Sequence, residues 1–78
     1  MEFHCILEGI YEGTETTIFY VTIQTPFKDI EGVELVTDSD LLEAELKRYS
    51  KGYKFVVIGR PARKNGAIRL KGDYARGF

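Results

Sequence analysis

The chain has 78 residues, 44% of them hydrophobic and 29% charged, a composition that allows one modest core and excludes a second globular unit, a disordered chain or a fibrous repeat. No apolar run reaches the roughly 18 residues needed to span a membrane, and Met1-Glu2-Phe3-His4 lacks the basic start and apolar stretch of a signal peptide, so a cytoplasmic protein with no membrane partner is expected. The net charge of -1 conceals a division by sign: residues 1–46 hold eleven acids against Lys28 alone, and residues 47–78 hold ten bases against Asp73 alone.

Residues 3–11 and 16–25 are rich in β-branched and aromatic side chains and flank Glu12-Gly13-Thr14-Glu15, which predicts a long β-hairpin. In the second run Phe19, Val21 and Ile23 alternate with Ile18, Tyr20 and Thr22, so the first set is expected inside and Tyr20 and Thr22 outside. Pro26 ends this pattern in a turn. A short third strand follows over residues 33–37, with Val33 and Leu35 on one side and Glu34 and Val36 on the other.

Thr37-Asp38-Ser39-Asp40 supplies oxygen-bearing side chains for a helix start, and Leu42, Leu46 and Tyr49 recur at helical spacing. The expected helix covers residues 40–50, with Gly52 closing it in a left-handed conformation. Residues 54–59 form the strongest strand signal and read as a central, buried strand. Its predicted partner covers residues 67–74, with Arg60 to Gly66 as the connecting loop and Asn65-Gly66 as the turn. Alternation places Ile68 and Leu70 inward and Arg69 and Lys71 outward, and the tail from Arg76 to Phe78 is expected to fray.

The order β-β-β-α-β-β over residues 1–78 resembles the OB-fold, a small five-stranded barrel. The resemblance is architectural and carries no diagnostic motif. It implies one mainly β domain with one helix, and binding of single-stranded DNA or RNA through strands two and three and the adjoining loops.

Catalysis is not expected. His4 and Cys5 are adjacent on a strand and therefore point to opposite faces, which prevents an activated thiol pair. Asp38, Asp40 and Glu43 suit helix capping better than a cation, and the glycines form no phosphate-binding fingerprint, so neither a metal nor a cofactor is expected. The candidate nucleic-acid site is Lys54, Arg60, Arg63, Lys64, Arg69 and Lys71 for phosphates, with Tyr20 and Phe27 for base stacking. Glu12 and Glu15 would repel phosphate at the first hairpin. Two other readings follow from the divided charge: a protein-interaction or inhibitor module using the acidic surface, or a homo-oligomer whose opposite faces meet.

Overall fold

The computed structural model describes residues 1–77. Five strands and a helix follow one another as β1 (Glu2–Glu12), β2 (Thr17–Gln24), β3 (Asp29–Val36), α1 (Asp40–Lys47), β4 (Lys54–Lys64) and β5 (Ala67–Gly77). The strands close into a barrel in the order β1-β2-β3-β5-β4, with β1 returning to pair with β4. Every neighbouring pair is antiparallel except β3 with β5, which is parallel. This is the OB-like architecture that the element order predicts, mainly β with a single short helix.

The alternation of β2 is used as expected: Phe19, Val21 and Ile23 enter the core, where they meet Leu7 and Cys5 of β1 and Val33 and Leu35 of β3. Phe55 and Val57 of β4 are fully buried, as their position between β1 and β5 requires. The helix places Leu42 and Leu46 against this core. Ser39 caps it, its side chain accepting from the Leu42 amide at 3.2 Å, while Asp40 and Glu43 lie at the positive N-terminal end. Tyr49 packs on Tyr53 and Phe55, with ring centroids 4.3 and 5.1 Å away.

Several expectations require correction. Thr22 keeps its outward phase but is buried rather than exposed, where the Glu8 side chain of β1 accepts its hydroxyl at 2.9 Å. The helix ends at Lys47, short of residue 50, and the left-handed Gly52 serves the entry to β4, donating its amide to the Leu7 carbonyl at 2.7 Å. Arg60 to Lys64 are strand rather than loop. Arg76 and Gly77 do not fray: they pair with Val56 and Phe55, and Arg76 reaches Glu2 at 3.2 Å. Phe78 lies outside the described residues.

Cys5 faces the barrel interior and is fully buried, and loss of water pushes its thiol from 9.0 up to about 12. Folding thus favours the protonated thiol. The resulting stabilisation is complete below the ordinary value of 9.0 and is lost as pH rises toward 12. The native chain is expected to react with a thiol–disulfide reagent at neutral pH only as fast as it opens, and in strong denaturant at once. Equal rates in the two conditions would contradict this burial.

Candidate functional site

Strands β4 and β5 are longer than the barrel that holds them. β1 pairs with β4 only as far as Ile58, and β3 pairs with β5 only through Glu34, Leu35 and Val36. From Arg60 onward β4 pairs with β5 alone, Arg60 with Lys71 through Lys64 with Ala67, and past the β3 contacts at Arg69 to Lys71 the two strands continue as a two-stranded ribbon. Its turn uses Asn65 at φ 53° and Gly66 at φ 79°, the positive values that a tight two-residue hairpin demands. Pro61 is tolerated because this part of β4 has a partner on one side only, and edge positions accept a residue with no amide hydrogen.

Directly opposed residues of a ladder share a face. The outer face of the ribbon therefore carries Arg60 with Lys71, Ala62 with Arg69 and Lys64 with Ala67, while the inner face carries Pro61 with Leu70 and Arg63 with Ile68. Leu70 is buried in the barrel. Ile68, expected inside, is 54% exposed, because its phase is inward but the barrel has ended.

Ion pairing divides the predicted cations into two sets. Arg69 donates from Nε and Nη2 to Oε1 of Glu34, at 3.1 and 2.6 Å, across the β3–β5 seam. Lys71 reaches Asp38 at 2.6 Å, and its hydrogen bond, followed by its charge, holds the Asp38 carboxyl below the usual range. Arg60, Arg63 and Lys64 have no ion-pair partner among the described residues. Three cations outside any ion pair thus stand around the ribbon, Arg60 still acting on the Asp38 carboxylate through its charge, beside two that are neutralised.

The same pairing accounts for much of the division of charge along the chain. Each of the six ion pairs among the described residues joins an acid from residues 1–46 to a base from residues 47–77. Lys47 binds both Glu12 and Glu43 at 3.1 Å, and these hydrogen bonds raise its pKa. Lys47–Glu43 and Arg48–Glu45 are local to α1 and its C-cap, whereas Glu34–Arg69 and Glu2–Arg76 form because the acidic strands β1 to β3 are bordered on both sides by the basic strands β4 and β5.

The fold does not gather all the predicted site residues. A transverse row on the outer surface runs from Gly9 through Tyr20, Glu34 and Arg69 to Ala62, crossing all five strands. Tyr20 is 36% exposed in that row, and a depression of about 340 Å³ nearby is lined by Ile18, Glu34, Lys64, Asn65, Ala67 and Arg69. Lys64 and Arg69 are therefore brought together, and Tyr20 lies in the same transverse row as Arg69, with Glu34 between them. Phe27 projects from the β2–β3 turn, which no ladder pair connects to β4 or β5. Lys54 begins β4, opposite Ile6, ten positions and roughly 30 Å of strand from Lys64.

Ile18, Asn65 and Glu34 are the residues that the sequence reading left out of the site. Alternation placed Ile18 beside Tyr20, and the Asn-Gly turn marked Asn65. Only the parallel β3–β5 register reveals Glu34 as the partner of Arg69.

His4 is exposed on the opposite side of β1 from Cys5. Among the described residues no group of three His, Cys, Asp or Glu side chains is placed to hold a metal ion, and no helix is long and apolar enough to cross a membrane. Comparison of the chain with protein-family models, with curated proteins and with solved structures finds no match.

Proposed function

We propose that the protein binds single-stranded nucleic acid without catalysing a reaction on it, along the outer surface from Tyr20 to the β4–β5 ribbon and round the ribbon's free β4 edge to Arg63 on its inner face. The observation that carries this reading is the group of unpaired cations Arg60, Arg63 and Lys64 on the ribbon that borders the Tyr20 row. The OB-like barrel supports it by analogy, since that architecture presents ligands to the same strands and hairpin.

The roles divide by chemistry. Arg60, Arg63 and Lys64 neutralise phosphates and displace their counterions. Tyr20 offers a ring on which a base can stack, and Ile18 extends the apolar floor. Asn65 presents an amide to a base edge. Glu34 holds the Arg69 guanidinium in place and cancels its charge, which keeps the net attraction modest. Phe27 and Lys54 have no part in this surface.

The test is fluorescence anisotropy of a labelled single strand at low salt. Three phosphate contacts predict a slope of log K against log salt of about -2. Affinity should therefore fall about sixteenfold for a fourfold rise in salt. Absence of binding at low salt overturns the proposal.

A further inference from the structure

Two exposed apolar surfaces with opposite charge lie too far apart to meet within one molecule. On the inner face of the ribbon, Pro61 and Ile68 line a cleft of about 520 Å³ that also contains Arg63 and is bordered by Ala62. Between α1 and β5, a second cleft of about 380 Å³ is bordered by Leu41, Tyr74, Glu45 and Asp73. Leu41 is 86% and Tyr74 59% exposed, so both project as apolar knobs. Asp73 has no ion-pair partner among the described residues. Ile68 and Tyr74 are six positions apart on β5, roughly 20 Å of strand.

We infer that copies of this chain associate head to tail, the Leu41 and Tyr74 surface of one copy seating in the Pro61–Ile68 cleft of the next, with Asp73 against Arg63. A second copy is the occupant that supplies both the apolar knobs and the missing opposite charge. A twofold contact is disfavoured, since ribbon against ribbon opposes Arg63 to Arg63, and the other cleft against itself opposes Asp73 and Glu45 to their own kind. A contact between different surfaces extends into a chain or closes into a ring. Arg63 is shared with the proposed nucleic-acid surface while Arg60 and Lys64 are not used, and the inference does not rest on nucleic-acid binding.

Charge reversal provides the test, read by sedimentation velocity at low salt over micromolar to millimolar protein, with circular dichroism confirming that each variant folds. The wild-type chain is expected to pass beyond a dimer as its concentration rises. Arg63→Glu and Asp73→Lys are each expected to remain monomeric. An equimolar mixture of the two variants should regain extended association with the variants alternating, because the native Asp73–Arg63 pair forms at one contact and the charge-reversed pair at the next. The double variant Arg63→Glu/Asp73→Lys should regain extended association. A wild-type chain that stays monomeric or stops at a dimer overturns the inference. So does a mixture that stays monomeric, or a single variant that associates like wild type.

Discussion

Replacing Gly59 with alanine is expected to cost about 3 kcal/mol or more, at the top of the range for overpacked positions. A Cβ at this position would run into the Lys71 carbonyl oxygen and stand 3.0 Å from the Gly72 Cα. Both are backbone atoms, so no side-chain rotation relieves the contact. The residue also sits where the β4–β5 register shifts, and where Met1 closes the end of the β1–β4 seam. Its amide donates to the Met1 carbonyl at 3.0 Å, and its carbonyl accepts from the Met1 amine at 3.1 Å. A domain of this length has roughly 4 to 12 kcal/mol of stability in all, so the variant should lose a large part of it. Gly66→Ala is the control. Its Cβ would enter open space, and only the positive φ of 79° opposes it, at about 1 kcal/mol. Urea unfolding followed by circular dichroism compares the two, and equal midpoints would show that the ribbon does not require close contact at Gly59.

The second large effect concerns binding. A triple variant carrying Arg60→Gln, Arg63→Gln and Lys64→Gln should retain the fold, since these side chains form no ion pairs and end in solvent. It should lose nearly all salt-dependent affinity for a single strand. Extending the wild-type slope from about 0.05 M to about 1 M salt assigns these three cations about 500-fold in affinity at the lower concentration. The residual binding should have a nearly flat salt dependence. Glu34→Gln acts in the opposite sense: it releases Arg69 from its partner and should steepen the slope by about 0.7. Anisotropy titrations of the three proteins in one salt series check both effects, and a triple variant with the wild-type slope would place the binding surface elsewhere.

Side-chain alternation made much of the core legible. Phe19, Val21 and Ile23, and then Val33 and Leu35, fall inside where a period of two puts them. The same rule placed Ile68 inward. The phase was right, but alternation does not say where a barrel stops, and neither β1 nor β3 extends far enough to cover this residue. The loop expected from Arg60 to Gly66 fails for a related reason: the ladder continues past the barrel, and its free edge accepts Pro61. Thr22 lay beyond local pattern because its burial depends on Glu8, fourteen residues earlier.

The candidate site was legible as a set of residue types but not as an arrangement. Counting charges reveals the division between the two parts of the chain, yet the count cannot show that the parts border one another in the barrel. Glu34 and Arg69 are 35 residues apart and meet only through a parallel seam. That seam removes Arg69 from the free cations, and the neighbouring contact to Asp38 removes Lys71. Lys54 and Phe27 looked equivalent to the other candidates because composition has no distance in it. The strand register separates them.

The most direct test of the proposed surface is an NMR titration of isotope-labelled protein with a short single strand at low salt. Shifts are expected at Ile18, Tyr20, Arg60, Arg63, Lys64 and Asn65, with the amides of α1 and of the β2–β3 turn around Phe27 left in place. Shifts centred on that turn or on α1, or no shifts at all, would contradict a binding surface between Tyr20 and the ribbon.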